Sequence, residues 1–293
     1  MSDRESTQEP TRIVRDGYPP GVTCWVDAEL PDPEAAVPFY RGLFGWELEN
    51  AMPPDAEGKY FEATIDGLRV AGIGHQPSGE APPPAWNTYV WAESADETAE
   101  KIEEAGGRVL MGPMDIMQQG RMAIGADPQG AAFRLWQPGE HRGAQVVNEY
   151  RAWGFSGLST DDLDGAREFY GSVFGWESES GAGWAFFRVP GYGKFLAERD
   201  PTLFERLAES GGPEGFADVT AWLSTLEGQP DGTPPHWSVT FNVEDADDAA
   251  AKANELGGAV LAEPFDAPPV RMAVVADPQG AAFTVSRFYE DRL

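Results

Sequence analysis

The chain contains few of the residues that build disulfides, metal centres or nucleic-acid-binding surfaces. Among its 293 residues are one cysteine and three histidines, and 49 acidic residues stand against 21 basic ones. The single Cys24 excludes an internal disulfide and is typical of a reducing compartment, so we expect a cytoplasmic protein. The net charge of −28 argues against partners that are polyanions, namely nucleic acid and anionic membranes. No apolar run approaches the roughly 20 residues of a membrane helix.

One octapeptide occurs twice, and its surroundings are repeated with it. The sequence Ala-Asp-Pro-Gln-Gly-Ala-Ala-Phe at 126–133 returns unchanged at 276–283. A second motif, Phe-Tyr followed by Phe-Gly-Trp-Glu, ends at Glu47 and again at Glu177. The spacing between the two motifs is about twenty residues longer in the second copy. The chain is therefore a tandem duplication with an insertion in its second half.

Turn signals and strand or helix periodicity predict two β-α-β-β-β units in each half. We predict a disordered N-terminus over residues 1–20, a first domain over 21–137, a linker over 138–150 and a second domain over 151–293. Asp66-Gly67 predicts a hairpin turn in the first half, and the corresponding hairpin is predicted at 184–196. Residues 199–235 form the insertion, and their apolar side chains predict packing on the body. A lid over a cleft and a surface patch both remain open for it.

These motifs resemble those of the vicinal oxygen chelate superfamily, which includes glyoxalase I, bleomycin-resistance proteins and extradiol dioxygenases. The resemblance rests on Phe-Tyr and Phe-Gly-Trp around the first helix, Gly106-Gly107 after the second, and Asp-Pro-x-Gly before the last strand. The segment Cys24-Trp25-Val26-Asp27 is similar to the tandem-domain, actinobacterial type. The resemblance implies an α+β fold in which each domain curves its mixed sheet into a cup, with the helices outside.

The resemblance also implies a divalent metal held by His, Gln or Glu from the strands of the cup. The positions it assigns to the ligands carry Trp25, Asn87 and Arg134 in the first half, and Phe155, Ser238 and Thr284 in the second. Glu62 loosely matches a fourth ligand position, where the second half has Phe186. Indole and phenyl rings do not ligate metals and an arginine repels a cation, so we expect no metal and no other cofactor. His75, His141 and His236 lack paired-ligand spacing and are predicted to be surface or capping residues.

Period-2 alternation predicts which side chains face each cup. The predicted first cup is rich in rings and charges: Trp25, Asp27, Glu29, Tyr60, Glu62, Thr64, Asn87, Tyr89, Trp91, Arg134 and Trp136. The predicted second cup is smaller and mostly neutral: Phe155, Gly157, Ser159, Arg188, Ser238, Thr240, Asn242, Thr284 and Ser286. The first set favours a pocket for a flat, partly aromatic ligand, with Asp27 and Glu29 as acid–base candidates. In the alternative, Arg134 only neutralises Asp27 or Glu29 and the rings fill the cup.

Three function classes follow from the sequence. The favoured one is a metal-independent protein that binds or sequesters a small molecule, such as an aromatic or polyketide-like metabolite, as bleomycin-resistance proteins do. The second is a metal-free lyase, isomerase or cyclase of secondary metabolism that uses Asp27 or Glu29. The least favoured is a metal-dependent glyoxalase or dioxygenase. We expect a monomer or homodimer whose working pocket lies in the first half.

Overall fold

The computed structural model describes residues 12–76, 82–181, 184–209, 213 and 215–289. The first half contains β1 (Thr23–Leu30), α1 (Pro33–Phe44), β2 (Glu47–Asn50), β3 (Tyr60–Ile65), β4 (Leu68–His75), β5 (Ala85–Trp91), α2 (Ala95–Glu104), β6 (Arg108–Ile116), β7 (Gly120–Ala126) and β8 (Ala132–Pro138). The second half contains β9 (Trp153–Ser159), α3 (Leu163–Phe174), β10 (Glu177–Gly181), β11 (Trp184–Arg188), α4 (Tyr192–Ala197), α5 (Leu203–Glu209), a 3-10 turn (Phe216–Asp218), β12 (Val219–Ser224), β13 (His236–Asn242), α6 (Ala246–Glu255), β14 (Ala259–Ala267), β15 (Val270–Ala276) and β16 (Ala282–Phe288).

Each half forms one eight-stranded mixed sheet, and the two sheets have the same strand order. The first is β2-β3-β4-β1-β5-β8-β7-β6 and the second is β10-β11-β12-β9-β13-β16-β15-β14. The predicted duplicated α+β fold is thereby confirmed. Since β1 lies between β4 and β5, and β5 pairs with β8, the four central strands place their inward side chains together.

Local sequence explains where the helices and the first hairpin begin and end. Asp32 caps α1 by accepting a hydrogen bond from the backbone N–H of Ala35, and Gly45 ends the helix with φ of 69°. The hairpin between β3 and β4 turns at Asp66 and Gly67, which have φ of 53° and 74°. Two consecutive positive φ angles are those of a type I′ turn, the favoured two-residue connection between antiparallel strands.

The two halves share one core, and the repeated motifs contact each other across it. Tyr40 of α1 donates a hydrogen bond to the carboxylate of Asp277, which opens the second Asp-Pro-Gln-Gly turn, at 3.0 Å. The same hydroxyl accepts from the indole N–H of Trp86 at 3.1 Å. The equivalent residues form the same hydrogen bond in the opposite direction across the core: Tyr170 of α3 donates to Asp127 of the first half at 3.2 Å. Each half therefore completes the polar core of the other.

The second-half hairpin differs from its prediction. Residues 192–196, predicted as part of the hairpin, belong to α4, which follows Gly191 with φ of 88°. The true partner of β11 is β12, which lies inside the segment 199–235 and pairs with both β11 and β9. The extra chain of the second half is therefore residues 189–218, between two neighbouring strands. This extra chain contains the helices α4 and α5, and the predicted insertion 199–235 contains α5 and the strand β12.

The N-terminal segment and the linker are packed against the first half. Tyr18 is buried and donates to the carbonyl of Ala144 at 2.6 Å, and buried Arg15 donates to the hydroxyl of Tyr192. The predicted disorder is therefore wrong for residues 12–20, because these side chains close over the linker and α4; residues 1–11 lie outside the described residues. Ala144 and Val146 of the linker are fully buried. Across the described ranges, no helix has the length and apolarity needed to span a membrane.

Candidate functional site

A cavity of about 560 Å³ lies on the concave face of the first sheet, the first cup. Alternating residues of β1 form one wall, namely Trp25, Asp27 and Glu29. Rings from the neighbouring strands and the linker complete the polar interior: Tyr60, Tyr89, Trp136 and His141. Apolar side chains line the remainder, among them Met52, Ile116, Met117 and Met122. A cavity of this size is typical of sites for drug-sized molecules, which span about 300–1,000 Å³.

Asp27 occupies the centre of the first cup and is almost fully buried. Its carboxylate accepts hydrogen bonds from the hydroxyl of Tyr89 at 2.6 Å, from that of Tyr60 at 3.3 Å, and from the amide of Asn87 at 3.0 Å. Three donors on one carboxylate occupy most of its acceptor positions. The arrangement favours Asp27 as an anchor that orients the two phenols. Asn87, behind it, does not line the cavity.

Two glycines of β4 make room for the ring of Tyr60. Gly72 lies beside Asp27 and opposite Glu62 in the sheet, and a Cβ at Gly72 would stand 2.5 Å from Cζ of Tyr60. The ring therefore lies directly over the backbone of β4. In that position its hydroxyl accepts from the indole N–H of Trp25 at 2.9 Å. The sequence Gly72-Ile-Gly74 is thus part of the construction of the site.

Arg134 and Glu29 form an ion pair at the edge of the cavity, with 2.6 Å between Nη2 and Oε2. Arg134 is only 4% exposed and does not line the cavity, whereas Glu29 does. Burial raises the pKa of Glu29, opposed by the charge of Arg134 and reinforced by Asp27. Nε and Nη1 of Arg134 have no hydrogen-bond partner among the described residues. The pair leaves Glu29 as a carboxyl group that faces the cavity with an elevated pKa.

His141 reaches the cavity from the linker and is buried, so the surface alternative of its prediction as a surface or capping residue is wrong. It is 8% exposed, and its ring meets the ring of Trp25 edge-on at 4.4 Å between centroids. The backbone N–H of Gly143 donates to its Nδ1 at 3.2 Å, while Nε2 has no partner in the described part of the chain. Burial, with the charge of Arg69, lowers the pKa of His141 to about 4. The sequence contains one signal that this histidine enters the cup, namely its place between two glycines just after inward-facing Trp136.

Two other predicted residues have different surroundings. Glu62 lines the cavity and accepts from Nε of Arg69 at 2.5 Å, a contact that the sequence did not indicate. Trp91 is buried but does not line the cavity, because Tyr18 and Arg142 cover it. Its strand position gave the correct face, yet the N-terminal segment closes that end of the cup.

The second cup contains a cluster of aromatic rings. Trp222 of β12 contacts Phe155, Phe186 and Phe216, with centroids 5.6, 6.0 and 6.5 Å apart. Ser238 donates to the carbonyl of Gly157 at 3.3 Å, and Thr284 pairs with Thr240 in the sheet. By strand pairing, Trp222 stands where the first half has Gly72, and Phe186 stands where it has Glu62. The second cup thus has two large rings where the first has a glutamate and a glycine covered by the ring of Tyr60.

The residues at the family's metal positions do not fit a cation. Asn87 directs its amide nitrogen to Asp27, Arg134 is positively charged, and Trp25 offers only an indole N–H that is already bound to Tyr60. The second-half positions offer a phenyl ring and two hydroxyls. Within the described residues, no group of three or more His, Cys, Asp and Glu side chains is arranged to hold a metal ion. The donor set lacks the imidazoles and carboxylates that such a site requires.

Comparisons with known proteins agree with the duplicated fold. The model of the Glyoxalase/Bleomycin resistance protein/Dioxygenase superfamily matches residues 27–135, and that of a Glyoxalase-like domain matches residues 157–286. CFP32 of Mycobacterium tuberculosis, which its name classes as a glyoxylase, is 40% identical over 276 residues, covering 92% of this chain and 96% of that protein. The chain belongs to the glyoxalase/bleomycin resistance protein/dioxygenase superfamily.

One further relative is similar in sequence, and one solved structure is similar in fold only. The anthracycline biosynthesis protein DnrV of Streptomyces peucetius is 35% identical over 287 residues, covering 93% of this chain and 95% of that one. The Mn(II)-bound glyoxalase of Novosphingobium aromaticivorans superposes with a TM-score of 0.56, at 15% identity, over 91% of this chain and 82% of that one. The structural similarity shows the fold alone. The relatives of higher identity include one that is named for anthracycline biosynthesis.

Proposed function

We propose that this protein binds a flat aromatic metabolite in the first cup without a metal ion. The observation that carries the proposal is the 560 Å³ cavity, whose walls are rings and methionines and whose metal positions hold Trp25, Asn87 and Arg134. Tryptophan and tyrosine faces provide large apolar contact areas and lose little side-chain freedom on binding. The methionines beside them adapt to irregular ligand outlines.

The dimensions of the cup favour a molecule of several fused rings. Trp25 and Glu29 line the same wall and lie four residues apart on β1, which is about 13 Å at about 3.3 Å per residue. Polar groups stand along this length, from His141 beside Trp25 to Glu29 at the far end. DnrV is named for anthracycline biosynthesis, and anthracyclines are built on a fused tetracyclic system. A polycyclic aromatic ligand of the polyketide kind therefore matches both the length of the cavity and the similarity to DnrV.

The test is a titration of the full-length, chelator-treated protein with an anthracycline aglycone, followed by calorimetry or tryptophan quenching. We expect saturable binding that does not change when zinc, nickel or manganese is added. Trp25→Ala and Trp136→Ala should each weaken binding at least about tenfold, because they remove central aromatic contacts. Ser238→Ala and Thr284→Ala, in the second cup, are the matched controls and should bind normally. Binding that requires added metal, or that only the second-cup variants lose, would overturn the proposal.

A second candidate function follows from Glu29. Its carboxyl group faces the cavity, one oxygen is held by Arg134, and its pKa is raised. A carboxyl of this kind exchanges a proton with a bound ligand near neutral pH more readily than an ordinary glutamate does. In this reading the protein is a metal-free lyase, isomerase or cyclase, with Glu29 as the acid–base group and Asp27 holding the phenols.

Mass spectrometry of the ligand after incubation separates the two candidates. A binding protein returns the aglycone unchanged, whereas an enzyme converts it to an isomer or a cleavage product. Glu29→Gln keeps the size of the side chain and removes proton exchange, so it should abolish turnover and leave binding intact. Equal turnover by Glu29→Gln would exclude the acid–base role.

A further inference from the structure

His141 lines the first cup, and its imidazole holds a buried hydrogen-bond donor that has no partner among the described residues. We propose that Nε2–H of His141 selects a ligand that carries a neutral oxygen acceptor, an aryl ketone or quinone, on its aromatic framework. The inference rests on the proposed binding function, because it concerns the ligand of the same cavity. It adds a specificity residue that lies outside the repeated strands, on the linker between the halves.

Backbone geometry determines which ring nitrogen of His141 carries the proton. The N–H of Gly143 donates to Nδ1 at 3.2 Å, so Nδ1 is the acceptor and the neutral ring bears its hydrogen on Nε2. With the pKa of His141 lowered to about 4, the ring is uncharged at neutral pH. The linker therefore holds a neutral donor in a fixed tautomer.

The donor at Nε2 is buried and has no partner among the described residues. The nearest carboxylate oxygen, Oε1 of Glu62, is 3.8 Å away, which is too long for a hydrogen bond. Glu62 is itself held by Nε of Arg69 at 2.5 Å. The ring of His141 also has little freedom, since Trp25 and Trp136 meet it edge-on at 4.4 and 5.5 Å. A buried donor held in this way costs stability unless a bound molecule satisfies it.

The surrounding charges restrict the acceptor to a neutral oxygen. Four carboxylates line the cavity against two cations, Lys59 and Arg69, so the balance of charge disfavours an anionic ligand. A cationic group would leave Nε2–H without an acceptor, because a protonated amine has no lone pair to offer. A carbonyl oxygen on a flat ring accepts the hydrogen bond, and the ring itself packs against the indoles of Trp25 and Trp136.

The test compares 9-fluorenone with fluorene, which share one tricyclic skeleton and differ by a carbonyl in place of a methylene. Both are titrated into the full-length protein by tryptophan quenching. The wild type should bind fluorenone at least about tenfold more tightly than fluorene, since an unsatisfied buried donor discriminates by about that factor. His141→Phe keeps an aromatic ring and removes the donor, so it should bind both probes equally. His141→Gln retains an N–H and should retain part of the preference.

A second measurement uses the wild-type protein and therefore does not depend on whether a variant folds. The side-chain Nε2–H resonance of His141 in the wild type should shift on addition of fluorenone and stay in place with fluorene. A wild type that binds both probes equally, or a preference that survives in His141→Phe, would overturn the role of His141 and leave aromatic binding intact. A wild type that binds neither probe would overturn the proposed function together with this inference.

Discussion

The substitution Gly72→Ala tests how the first cup is built. A Cβ at Gly72 would stand 2.5 Å from Cζ of Tyr60 and closer still to its hydroxyl oxygen, so the ring must leave its place over β4. Two hydrogen bonds depend on that place, from Trp25 at 2.9 Å and to Asp27 at 3.3 Å. Tyr60 also lines the cavity, so its displacement changes the shape of the site. Gly72→Ala should therefore reduce both stability and ligand affinity.

The magnitude follows from the groups that lose partners. The bond to Asp27 contributes about 1 kcal/mol, and the buried indole N–H of Trp25, left without an acceptor, costs about 1–3 kcal/mol. Replacing glycine by alanine in an extended strand stabilises the protein by about 0.5–1 kcal/mol, because alanine lowers the conformational entropy of the unfolded chain. The free energy of unfolding should fall by about 1–3.5 kcal/mol, and the affinity for the aglycone by at least about tenfold.

A double-mutant cycle measured by urea denaturation decides whether Tyr60 is the cause. In a Tyr60→Ala background the obstructing ring is gone, so adding Gly72→Ala should be neutral or slightly stabilising. Gly112→Ala is the control for a strand glycine, since a Cβ there has nothing within 4 Å and should cost nothing. The reasoning is refuted if Gly72→Ala costs the same in the presence and absence of Tyr60, or if it leaves the wild-type stability unchanged.

Three further outcomes follow from buried polar groups. Tyr40→Phe and Tyr170→Phe should each lower the free energy of unfolding by about 2 kcal/mol, because an aspartate and an indole lose a partner; urea titrations that show under 0.5 kcal/mol would contradict this. The pKa of His141 falls from 6.5 to about 4 on folding, so the unfolded chain binds more protons between these values and stability is lost as pH falls from 6.5 to 4. Unfolding curves at pH 7.5 and 4.5 should show wild type losing up to about 3 kcal/mol relative to His141→Gln, and equal losses would refute the burial of this ring. Arg134→Met should cost about 3 kcal/mol by leaving Glu29 without its counter-charge, and adding Glu29→Met should recover most of it, as thermal melts would show.

Strand periodicity was sufficient to predict the cup and much of its lining. On β1 the alternation correctly separated Trp25, Asp27 and Glu29 from their helix-facing neighbours, because each face of a half-buried strand has one character. The turn at Asp66-Gly67 and the cap at Asp32 were equally local, and both were confirmed. Features of this kind need only a few consecutive residues to be recognised.

Contacts from segments outside the repeat could not be predicted in this way. His141 approaches the cavity from an irregular linker, where no periodicity tells a side chain's direction. Trp91 has the expected strand position, yet the N-terminal residue Tyr18 covers it. β12 was hidden because the chain between β11 and β12 is long enough to fold into helices before the sheet resumes. Each case depends on a packing partner distant in sequence.

The interlocked core explains how one cup can stay open while the other is filled. Burying a ring such as Phe186 contributes about 2–3 kcal/mol, and the first cup forgoes this at Glu62. Since Tyr40 and Tyr170 each bond to the opposite half, the stability of the filled second cup supports the first sheet as well. The duplication thereby assigns different tasks to equivalent positions. The second cup is packed with rings around Trp222, whereas the first keeps a cavity lined by Asp27, Glu29 and His141.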